Sequence, residues 1–409
     1  MRILALSQWY PPEPDIRAGV LARELADRGH AVTALTGFPN YPNGRIYPGY
    51  EQRLRSVERD GAARVVRVPL YPSHSHSAFG RVLTYGTFAA SAMLLGGPAT
   101  GSIDVVWAYH PPITTGLAAV VIGAARRAPF VFEIQDMWPE TLAATGMVRG
   151  GAFLSGVGAM ARWIYERAAA ISVISPGFKR NLIAKGVSGE KIVVIPNWAD
   201  ETVYRPMPRD PTAARAAGLP TGFIVLYAGN MGPAQDLLNV LRAAKQLTDL
   251  AEVRFVFVGD GVDLPLLRAE AKKAALRNVH FLPRRPAAEM PSLYANADAL
   301  LVHLSPDPLF EITIPSKTIA YLASGRPIIT VSRGDPAAVV ADAGAGVTCA
   351  PGDPTALARV VRALYAMPAE RRDEMATSGR RAYDAKYTRR VAIDRYEELF
   401  DAIRLGRRP

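Results

Sequence analysis

The stretch FIVLYAGNMGPAQDLLNVLRAAKQL, residues 223–247, decides which fold the chain adopts. Its first residues, FIVLYA, form an apolar run of the kind found in buried parallel strands. Gly229 and Gly232 follow, and AQDLLNVLRAAKQL then repeats its apolar residues at helical spacing. A strand, a glycine turn and a helix in this order indicate an α/β unit. Its parallel sheet binds a ligand at the carboxyl ends of the strands.

The same alternation continues on both sides of this stretch. Towards the C terminus, the strand candidates are VRFVFVGDG, VHFLP, ADALLVHL, RPIITVS and AGVTCAP. Towards the N terminus, they are ILAL, AVTALTG, ARVVRVPLY, IDVVWAYH, APFVFEIQD, AAISVISP and KIVVIPN. Residues 196–222, between the two series, are rich in proline and charge, which indicates a boundary. We therefore predict two α/β domains, residues 1–203 and 204–388, with an amphipathic helix at 389–409 that packs back on the first domain.

Composition narrows the class of partner. The 409 residues carry a net charge of +11, which favours anionic partners such as nucleotide diphosphates or an anionic membrane surface. The charge is spread over many arginine pairs, as on a solvated surface, so we expect no nucleic-acid binding. The single cysteine, Cys349, excludes an internal disulfide and a cysteine-based zinc site. The first apolar run is too short for a signal peptide, so we expect a cytoplasmic location.

One segment, from Val82 to Ile103, has no ionisable side chain except that of Tyr85. Its length approaches that of a membrane span, but GGPATG interrupts it, which disfavours spanning. We favour a helix buried in the first domain. The alternative is an interfacial helix on the bilayer with Arg81 at the lipid headgroups, which would make the protein peripheral on the inner face of the cell membrane.

The loop PLFEITIPSKTIAYLASGRPII, residues 308–329, holds the strongest candidate site. Prolines break its first half, so we expect a loop there, with Ser316 as the N-cap of the helix that follows. Lys317 would then lie in the first helical turn, where a cation opposes the helix dipole. A bound phosphate would reverse that effect; the alternative is a lysine that reaches into solvent. Glu311 stands among apolar residues, so we expect it to need a partner, such as the hydroxyls of a group attached to that phosphate.

Two glycine turns in the second half are also candidates. Gly229 and Gly232 would let backbone N–H groups approach a phosphate at a helix N-terminus. The turn at Gly259 and Gly261 follows the next strand, and there we favour a purely structural role.

The motifs occur in order along the whole chain. They are SQWYPPEP, ELADRGHAVTALTGFPNYP, HPPITTGLAA, EIQDMWPE, VIPNWAD, YAGNMG, VGDG and the 308–329 loop. In this combination the chain resembles the family 4 glycosyltransferases of the GT-B type, which have two Rossmann-like domains facing across a cleft. It is most similar to those that build bacterial surface polysaccharides, including N-acetyl-fucosamine and colanic-acid fucose transferases.

The resemblance implies a role for each matching residue on the donor side. Glu311 would hold the hydroxyls of the donor sugar, beside the backbone amides of its neighbours. Ser316 and Lys317 would meet the diphosphate, and Gly232 would meet it from the other side. The complete donor-side set is Gly229, Asn230, Gly232, Leu282, Pro283, Arg284, Phe310, Glu311, Ile312, Pro315, Ser316 and Lys317, of which Leu282 to Arg284 would border the base.

On the acceptor side the resemblance implies that Glu133 and Asp136 line the cleft. Asp15 and Arg17 lie in the first loop, and His110 ends a strand that faces the cleft. The chain also departs from the family pattern. Ala320 replaces the second glutamate, which normally binds ribose, and Asn230 stands where an arginine or lysine is common.

These implications define the expected reaction. A sugar passes, with retention of configuration, from a nucleotide diphosphate sugar, most simply a UDP-sugar, to a hydroxyl of a lipid-linked saccharide. Glu311, Lys317 and Asp136 are the predicted catalytic residues, and no metal and no cofactor is expected. The alternatives are an epimerase or hydrolase of nucleotide sugars with the same fold, or a non-catalytic partner protein that has kept the fold.

Overall fold

A computed structural model describes residues 1–14, 17–73, 78–144 and 151–408. The chain divides into two compact units. Unit 1 comprises Met1–Ile195 and Ile393–Pro409, and unit 2 comprises Pro196–Ala392.

Unit 1 contains an eight-stranded sheet in the order β3-β4-β2-β1-β5-β6-β7-β8. Its strands are β1 Arg2–Leu6, β2 Ala31–Gly37, β3 Ser56–Asp60, β4 Ala63–Val68, β5 Val105–His110, β6 Phe130–Ile134, β7 Ala170–Val173 and β8 Ile192–Val194. Seven of them pair in parallel, and β3 pairs antiparallel with β4. Strands β2 to β4 lie on one side of β1, and strands β5 to β8 lie on the other. The order of the strands therefore changes direction between β1 and β5, and this pair is the switch point of unit 1.

Strand β3 was not predicted from the sequence. Its residues, SVERD, carry three charges and lie at the edge of the sheet, so no apolar run marks it. Gly61, with a φ of 61°, closes the tight turn between Asp60 and Ala63. The otherwise parallel sheet therefore ends in an antiparallel hairpin.

The helices of unit 1 cover the two faces of this sheet. They are α1 Arg17–Asp27, α2 Ala78–Ser91, α3 Thr114–Arg126, α4 Glu140–Ala144, α5 Gly151–Arg167 and α6 Pro176–Ala184. Helix α2 continues into a π-helical turn, Ala92–Gly96, and a 3₁₀ turn, Gly97–Ala99. One side of this segment is buried at Phe88 and Ala92, while Val82 and Leu94 are exposed. Among the residues that the structure describes, no helix combines the length and the apolar character needed to cross a membrane.

Unit 2 contains a fully parallel six-stranded sheet in the order β11-β10-β9-β12-β13-β14. Its strands are β9 Phe223–Asn230, β10 Val253–Asp260, β11 Val279–Leu282, β12 Ala299–His303, β13 Ile328–Val331 and β14 Gly346–Cys349. The helices are α7 Pro211–Ala216, α8 Leu237–Lys245, α9 Leu264–Lys273, α10 Met290–Ala295, α11 Pro308–Ile312, α12 Ser316–Ser324, α13 Gly334–Asp342, α14 Pro354–Ala366 and α15 Ala369–Lys386. One apolar cluster packs on each face of the sheet. This is the Rossmann strand order, and its switch point lies between β9 and β12.

The structure places the boundary between the units at Pro196, whereas we had predicted that the second domain begins at residue 204. Residues 196–204 pack on unit 2, because the Ala199 carbonyl accepts a hydrogen bond from Tyr383 (3.1 Å) and the Tyr204 ring stacks on Tyr294 with centroids 6.1 Å apart. The last helix, α16 Arg389–Arg404, begins in unit 2 and ends in unit 1. Within unit 1 its Glu397 pairs with Arg28 (2.8 Å) and with His30 (2.6 Å).

Candidate functional site

Lys317 lies at the switch point of unit 2. It is the second residue of α12, and its ammonium nitrogen is 3.8 Å from the centroid of the Tyr227 ring on β9. A Cβ atom added to Gly229 would lie only 3.2 Å from the same nitrogen. The glycine at the end of β9 therefore leaves room for the lysine to cross the carboxyl end of the strand.

The ammonium of Lys317 is poorly solvated in this position. Although the side chain as a whole is only partly buried, its charged end lies against an aromatic ring and the backbone. Burial lowers the pKa of Lys317 to about 7. An anion bound beside it would restore the charged form, since an opposite charge within a few ångströms favours ionisation. The arrangement is suited to a phosphate.

The glycines around this point have specific steric roles. Gly229 has a φ of 133° and lies inside β9, not after the strand as predicted. A Cβ on Gly259 would lie 2.1 Å from the Gly229 carbonyl oxygen, and one on Gly261 would lie 2.2 Å from that of Met231. These two glycines allow β10 and its turn to pack closely against β9, in agreement with the structural role favoured for them.

The turn after β9 differs from the prediction. The helix expected from Ala234 begins only at Leu237, and a three-residue 3₁₀ turn, Pro233–Gln235, comes first. Gly232 precedes that turn in extended conformation, and its N–H donates to the Gln235 side chain (3.2 Å). The exposed Asn230 amide donates to the same oxygen (3.3 Å).

His303, at the end of β12, holds this turn in place. Its Nδ1 donates to the Gln235 carbonyl (2.7 Å), and its Nε2 accepts from the Asn239 amide (2.9 Å). Burial lowers the pKa of His303 to about 4, so the ring is neutral and its tautomer is set by these two bonds. The sequence prediction missed His303; the available signal was a polar residue at the carboxyl end of an apolar strand.

Glu311 differs from its predicted setting in two respects. It lies in the short helix α11, whose N-cap Asp307 accepts from the Leu309 N–H (2.8 Å), and not in an irregular loop. Its side chain is exposed, so burial does not force it to have a partner. Gly334, at a φ of 65°, packs against its backbone, since a Cβ there would lie 2.1 Å from the Glu311 carbonyl oxygen. Neither a hydrogen bond nor an ion pair joins Glu311 to Lys317.

The start of α12 is also shifted by one residue. Pro315 is the N-cap, and Ser316 is the exposed first residue of the helix, so the prediction of Ser316 as N-cap was wrong. Because proline offers no side-chain acceptor, the first N–H groups of the helix have no cap from it. Ala320 is buried in the core of unit 2, on the side of α12 that packs on the sheet.

The remaining donor-side residues lie at separate points of unit 2. Phe310 and Ile312 are half-buried neighbours of Glu311. Leu282 ends β11 and is partly buried, while Pro283 and Arg284 follow it and are exposed. They lie at the β11 edge of the sheet, two strands from β9.

Glu133 does not lie on an open surface of unit 1, as the acceptor-side prediction required. It is buried in β6 and accepts hydrogen bonds from Trp107 Nε1 (3.1 Å), Ser172 Oγ (2.8 Å), Gln135 Nε2 (2.6 Å) and the Tyr396 hydroxyl. Burial raises the pKa of Glu133, and these hydrogen bonds oppose that shift. We therefore assign Glu133 to the attachment of α16 and no longer to an acceptor.

The other acceptor-side residues fall into three groups. His110 is buried at the end of β5, and burial lowers its pKa to about 3, so it is neutral. Asp136 and Arg17 are partly exposed, the former just after β6 and the latter as the first residue of α1. Asp15 lies outside the described residues.

Comparison with known proteins identifies the enzyme class. The family described as "Glycosyl transferase 4-like domain" matches residues 14–198, and "Glycosyl transferases group 1" matches residues 212–382. Both halves of the chain therefore match glycosyltransferase domains, and the chain is a glycosyltransferase with the GT-B fold. The predicted fold and the predicted enzyme class are thereby confirmed.

Individual relatives agree with this glycosyltransferase assignment. The putative colanic acid biosynthesis glycosyl transferase WcaI of Escherichia coli is 29% identical over 81% of this chain and 83% of its own. The probable glycosyltransferase WbjE of Pseudomonas aeruginosa is 27% identical over 63% of this chain and 65% of its own. The crystal structure of HepE from Anabaena in complex with UDP matches with a TM-score of 0.72 and 16% identity, covering 98% of this chain and 100% of that one.

Among residues 1–14, 17–73, 78–144 and 151–408, no cluster of three or more His, Cys, Asp or Glu side chains could hold an ion. Metal independence remains a prediction.

Proposed function

We propose that the protein transfers a sugar from a UDP-sugar to a hydroxyl of a lipid-linked saccharide during cell-envelope glycan biosynthesis, with retention of anomeric configuration. The observation that carries the proposal is the Lys317 ammonium against Gly229 at the switch point of unit 2. UDP is favoured because the matching HepE structure holds UDP. The pathway is favoured because the WcaI relative is described as acting in colanic acid biosynthesis.

Several of the donor-side residues have distinct roles in this proposal. Lys317 and the N-terminus of α12 bind the diphosphate and stabilise the charge that builds up as it departs. Glu311 precedes α12 in the sequence, and its side chain is exposed. It accepts hydrogen bonds from hydroxyls of the donor sugar. Gly232 approaches the diphosphate from the turn after β9, and Leu282 to Arg284 border the base. The acceptor proton passes to a leaving phosphate oxygen, assisted by Asp136, and no metal takes part.

Release of nucleotide tests the reaction class. The enzyme is incubated with a UDP-sugar alone and then with a lipid-linked saccharide as well, with and without EDTA. A transferase releases UDP rapidly only when acceptor is present, and metal independence predicts equal rates with EDTA. Rapid release without acceptor would indicate a hydrolase. A thermal-shift panel of UDP-, GDP- and dTDP-sugars identifies the nucleotide, since only a ligand that binds the native state raises the melting temperature.

Glu311→Gln tests the sugar-binding role. The substitution keeps the shape of the side chain but removes the charge-assisted hydrogen bonds, each worth about 1.5–3 kcal/mol. We expect kcat/KM for the UDP-sugar to fall about thirtyfold, with the Kd for UDP itself unchanged. Glu289→Gln, at another exposed glutamate of unit 2, is the matched control. An unchanged kcat/KM in the Glu311 variant would remove this residue from the donor site.

The proposal also places the enzyme in the cytoplasm, peripheral to an anionic membrane that holds the acceptor. Support comes from the net charge of +11 and from the exposed side chains of Val82 and Leu94 along the α2 segment. Flotation with anionic vesicles tests this, and an electrostatic attachment must weaken as salt rises. Equal recovery with neutral and anionic vesicles would argue against it.

A further inference from the structure

A row of aromatic rings lies at the carboxyl ends of the strands in unit 1. Tyr41 is 5.1 Å from Trp9 between ring centroids, Trp9 is 6.5 Å from Tyr85, and Tyr85 is 6.2 Å from Trp138. The loops after β2, β1 and β6 supply Tyr41, Trp9 and Trp138, and α2 supplies Tyr85. We call these four residues the aromatic row. Tyr41 is 44% exposed, while Trp138 is buried, so the row runs from solvent into the unit.

Two buried side chains at the switch point of unit 1 carry polar atoms without partners in the part of the chain that the structure describes. Neither polar atom of the Gln8 amide has a hydrogen-bond partner among the described residues, and the same holds for His110 Nδ1. Both side chains are 1% exposed. The β1–β5 register pairs Leu6 with Ala108, so its continuation by two residues brings Gln8 beside His110 at the switch point of unit 1. The His110 ring also lies 5.1 Å from Trp138, edge to face.

The exposed end of the row is held rigidly. The buried carboxylate of Glu13 accepts hydrogen bonds from the backbone N–H groups of Tyr10 (3.1 Å), Asn40 (2.9 Å) and Tyr41 (2.8 Å). It thereby ties the loop after β1 to the loop after β2. The Ser7 hydroxyl donates to the Trp9 carbonyl (2.7 Å) and fixes the loop further. Trp9 and Tyr41 are therefore positioned before any ligand arrives, which lowers the entropic cost of binding.

We propose that the aromatic row binds a pyranose ring of the acceptor saccharide, with the C–H face of the sugar on Trp9 and its hydroxyls hydrogen-bonded to Gln8 and His110. This inference rests on the proposed function, and it names the residues that bind the acceptor. A pyranose presents an apolar face of C–H groups and a rim of hydroxyls, which matches aromatic faces beside an amide and an imidazole. The Trp138 ring lies against His110, so its rotation would open a path to His110 and to Gln8 beside it, a side-chain change that commonly accompanies binding.

Binding of simple pyranosides in the absence of nucleotide tests the proposal. The probes are methyl α- and β-pyranosides of glucose, galactose, fucose and N-acetylglucosamine, followed by saturation-transfer NMR. For the wild-type protein we expect signal on the sugar C–H protons. Trp9→Ala is expected to weaken binding about tenfold or more, while Trp9→Phe keeps most of it because the aromatic face remains. Tyr41→Ala, at an exposed position, provides a second variant should Trp9→Ala fail to fold.

Trp163→Phe is the matched control. Trp163 is a partly exposed tryptophan of α5 that packs on Arg167 (4.2 Å) outside the row. We expect this variant to bind the pyranosides as the wild type does. Wild-type strength in both Trp9→Ala and Tyr41→Ala, or no pyranoside signal from the wild-type protein, overturns the proposal.

Gln8→Leu separates a binding role from a structural one. Because the buried amide lacks partners, an apolar side chain of similar size should raise the melting temperature. The same change should weaken pyranoside binding by about tenfold, since a hydrogen-bonding group is lost. A variant that is more stable and binds pyranosides normally would overturn the role of Gln8.

UDP binding, measured by thermal shift on the same proteins, distinguishes the failure of this proposal from that of the proposed function. Pyranoside binding that depends on Trp9, in a protein that does not bind UDP, supports the acceptor surface and contradicts the donor. UDP binding with pyranoside binding unaffected by the row variants gives the opposite result.

Discussion

In unit 2, the switch point between β9 and β12 is lined by glycine, by one poorly solvated lysine and by the start of a helix. In unit 1, the switch point between β1 and β5 is lined by Gln8 and His110, and the His110 ring lies against that of Trp138. Both sheets are of the same class, and both switch points open at the carboxyl ends of parallel strands. The backbone provides the same crevice twice. The side chains that follow the strands decide whether it suits phosphate or a sugar ring.

The two sites also differ in the kind of free-energy cost that each carries before a ligand binds. Lys317 is held against Tyr227 at a cost in solvation, which a diphosphate would remove. The buried Gln8 amide has no hydrogen-bond partner among the described residues, a cost that a sugar hydroxyl would remove. In both cases a side chain is held at a local cost in stability, of the kind found at functional sites.

Removing the lysine should have the largest effect. Lys317→Met keeps the length of the side chain and removes its charge, so the departing diphosphate loses an electrostatic partner worth about 10²–10³ in rate. We expect kcat/KM for the UDP-sugar to fall at least about a hundredfold, with a melting temperature equal to or above that of the wild type. Pyranoside binding at the aromatic row should be unchanged, because that site uses no cation.

Lys273→Met is the control for this experiment. Lys273 lies on α9, also in unit 2; its side chain is 78% exposed and its Nζ lies 3.7 Å from the Glu270 carboxylate. Its removal should leave turnover at the wild-type level. If the Lys317 variant turned over UDP-sugar normally, the assignment of the unit 2 switch point to phosphate would be wrong.

The pH dependence of UDP binding sharpens the same contrast. Since the pKa of Lys317 is about 7 in the free protein and rises when a diphosphate binds, the charged form is the one that binds. The Kd for UDP should therefore increase from pH 7 to pH 9, by up to about tenfold per unit, and binding should take up a proton. The last proton of a terminal phosphate has a pKa of about 6, so UDP is mostly ionised at pH 7 and contributes little to this dependence.

Calorimetry in buffers of different ionisation enthalpy measures this proton uptake. Lys317→Met should abolish both the uptake and the slope, and pyranoside binding by the wild type should show neither. The same pKa shift predicts that stability increases as pH rises above 7, because the unfolded chain keeps this lysine protonated until about pH 10.4. A Kd for UDP that is constant from pH 7 to pH 9 would contradict the assigned charge state.

The sequence predicted features that depend on local pattern. Runs rich in valine and isoleucine marked all the parallel strands, whereas β3, charged and at an edge, has no such signal. The unusual cation in the first turn of α12 pointed to Lys317. Its contact with Gly229 could not be predicted, because it depends on how two distant segments pack. Glu133 was misassigned for the same reason: three of its four hydrogen-bond donors, on Trp107, Ser172 and Tyr396, come from distant parts of the chain.

The prediction with the smallest expected effect concerns Glu133, which lies close to the unit 1 switch point. It tests whether the role of this carboxylate is structural. Tyr396→Phe removes the hydroxyl that α16 donates to this buried carboxylate and leaves the other three donors in place. We expect the urea midpoint to fall by an amount equivalent to about 1–2 kcal/mol, with faster hydrogen exchange in α16. Tyr365→Phe, a partly buried tyrosine of α14 that packs on Phe223, is the control and should leave both unchanged. UDP and pyranoside binding should stay at wild-type strength in both variants. Weaker pyranoside binding in Tyr396→Phe, without loss of stability, would return Glu133 to the acceptor site and extend the sugar surface beyond the aromatic row.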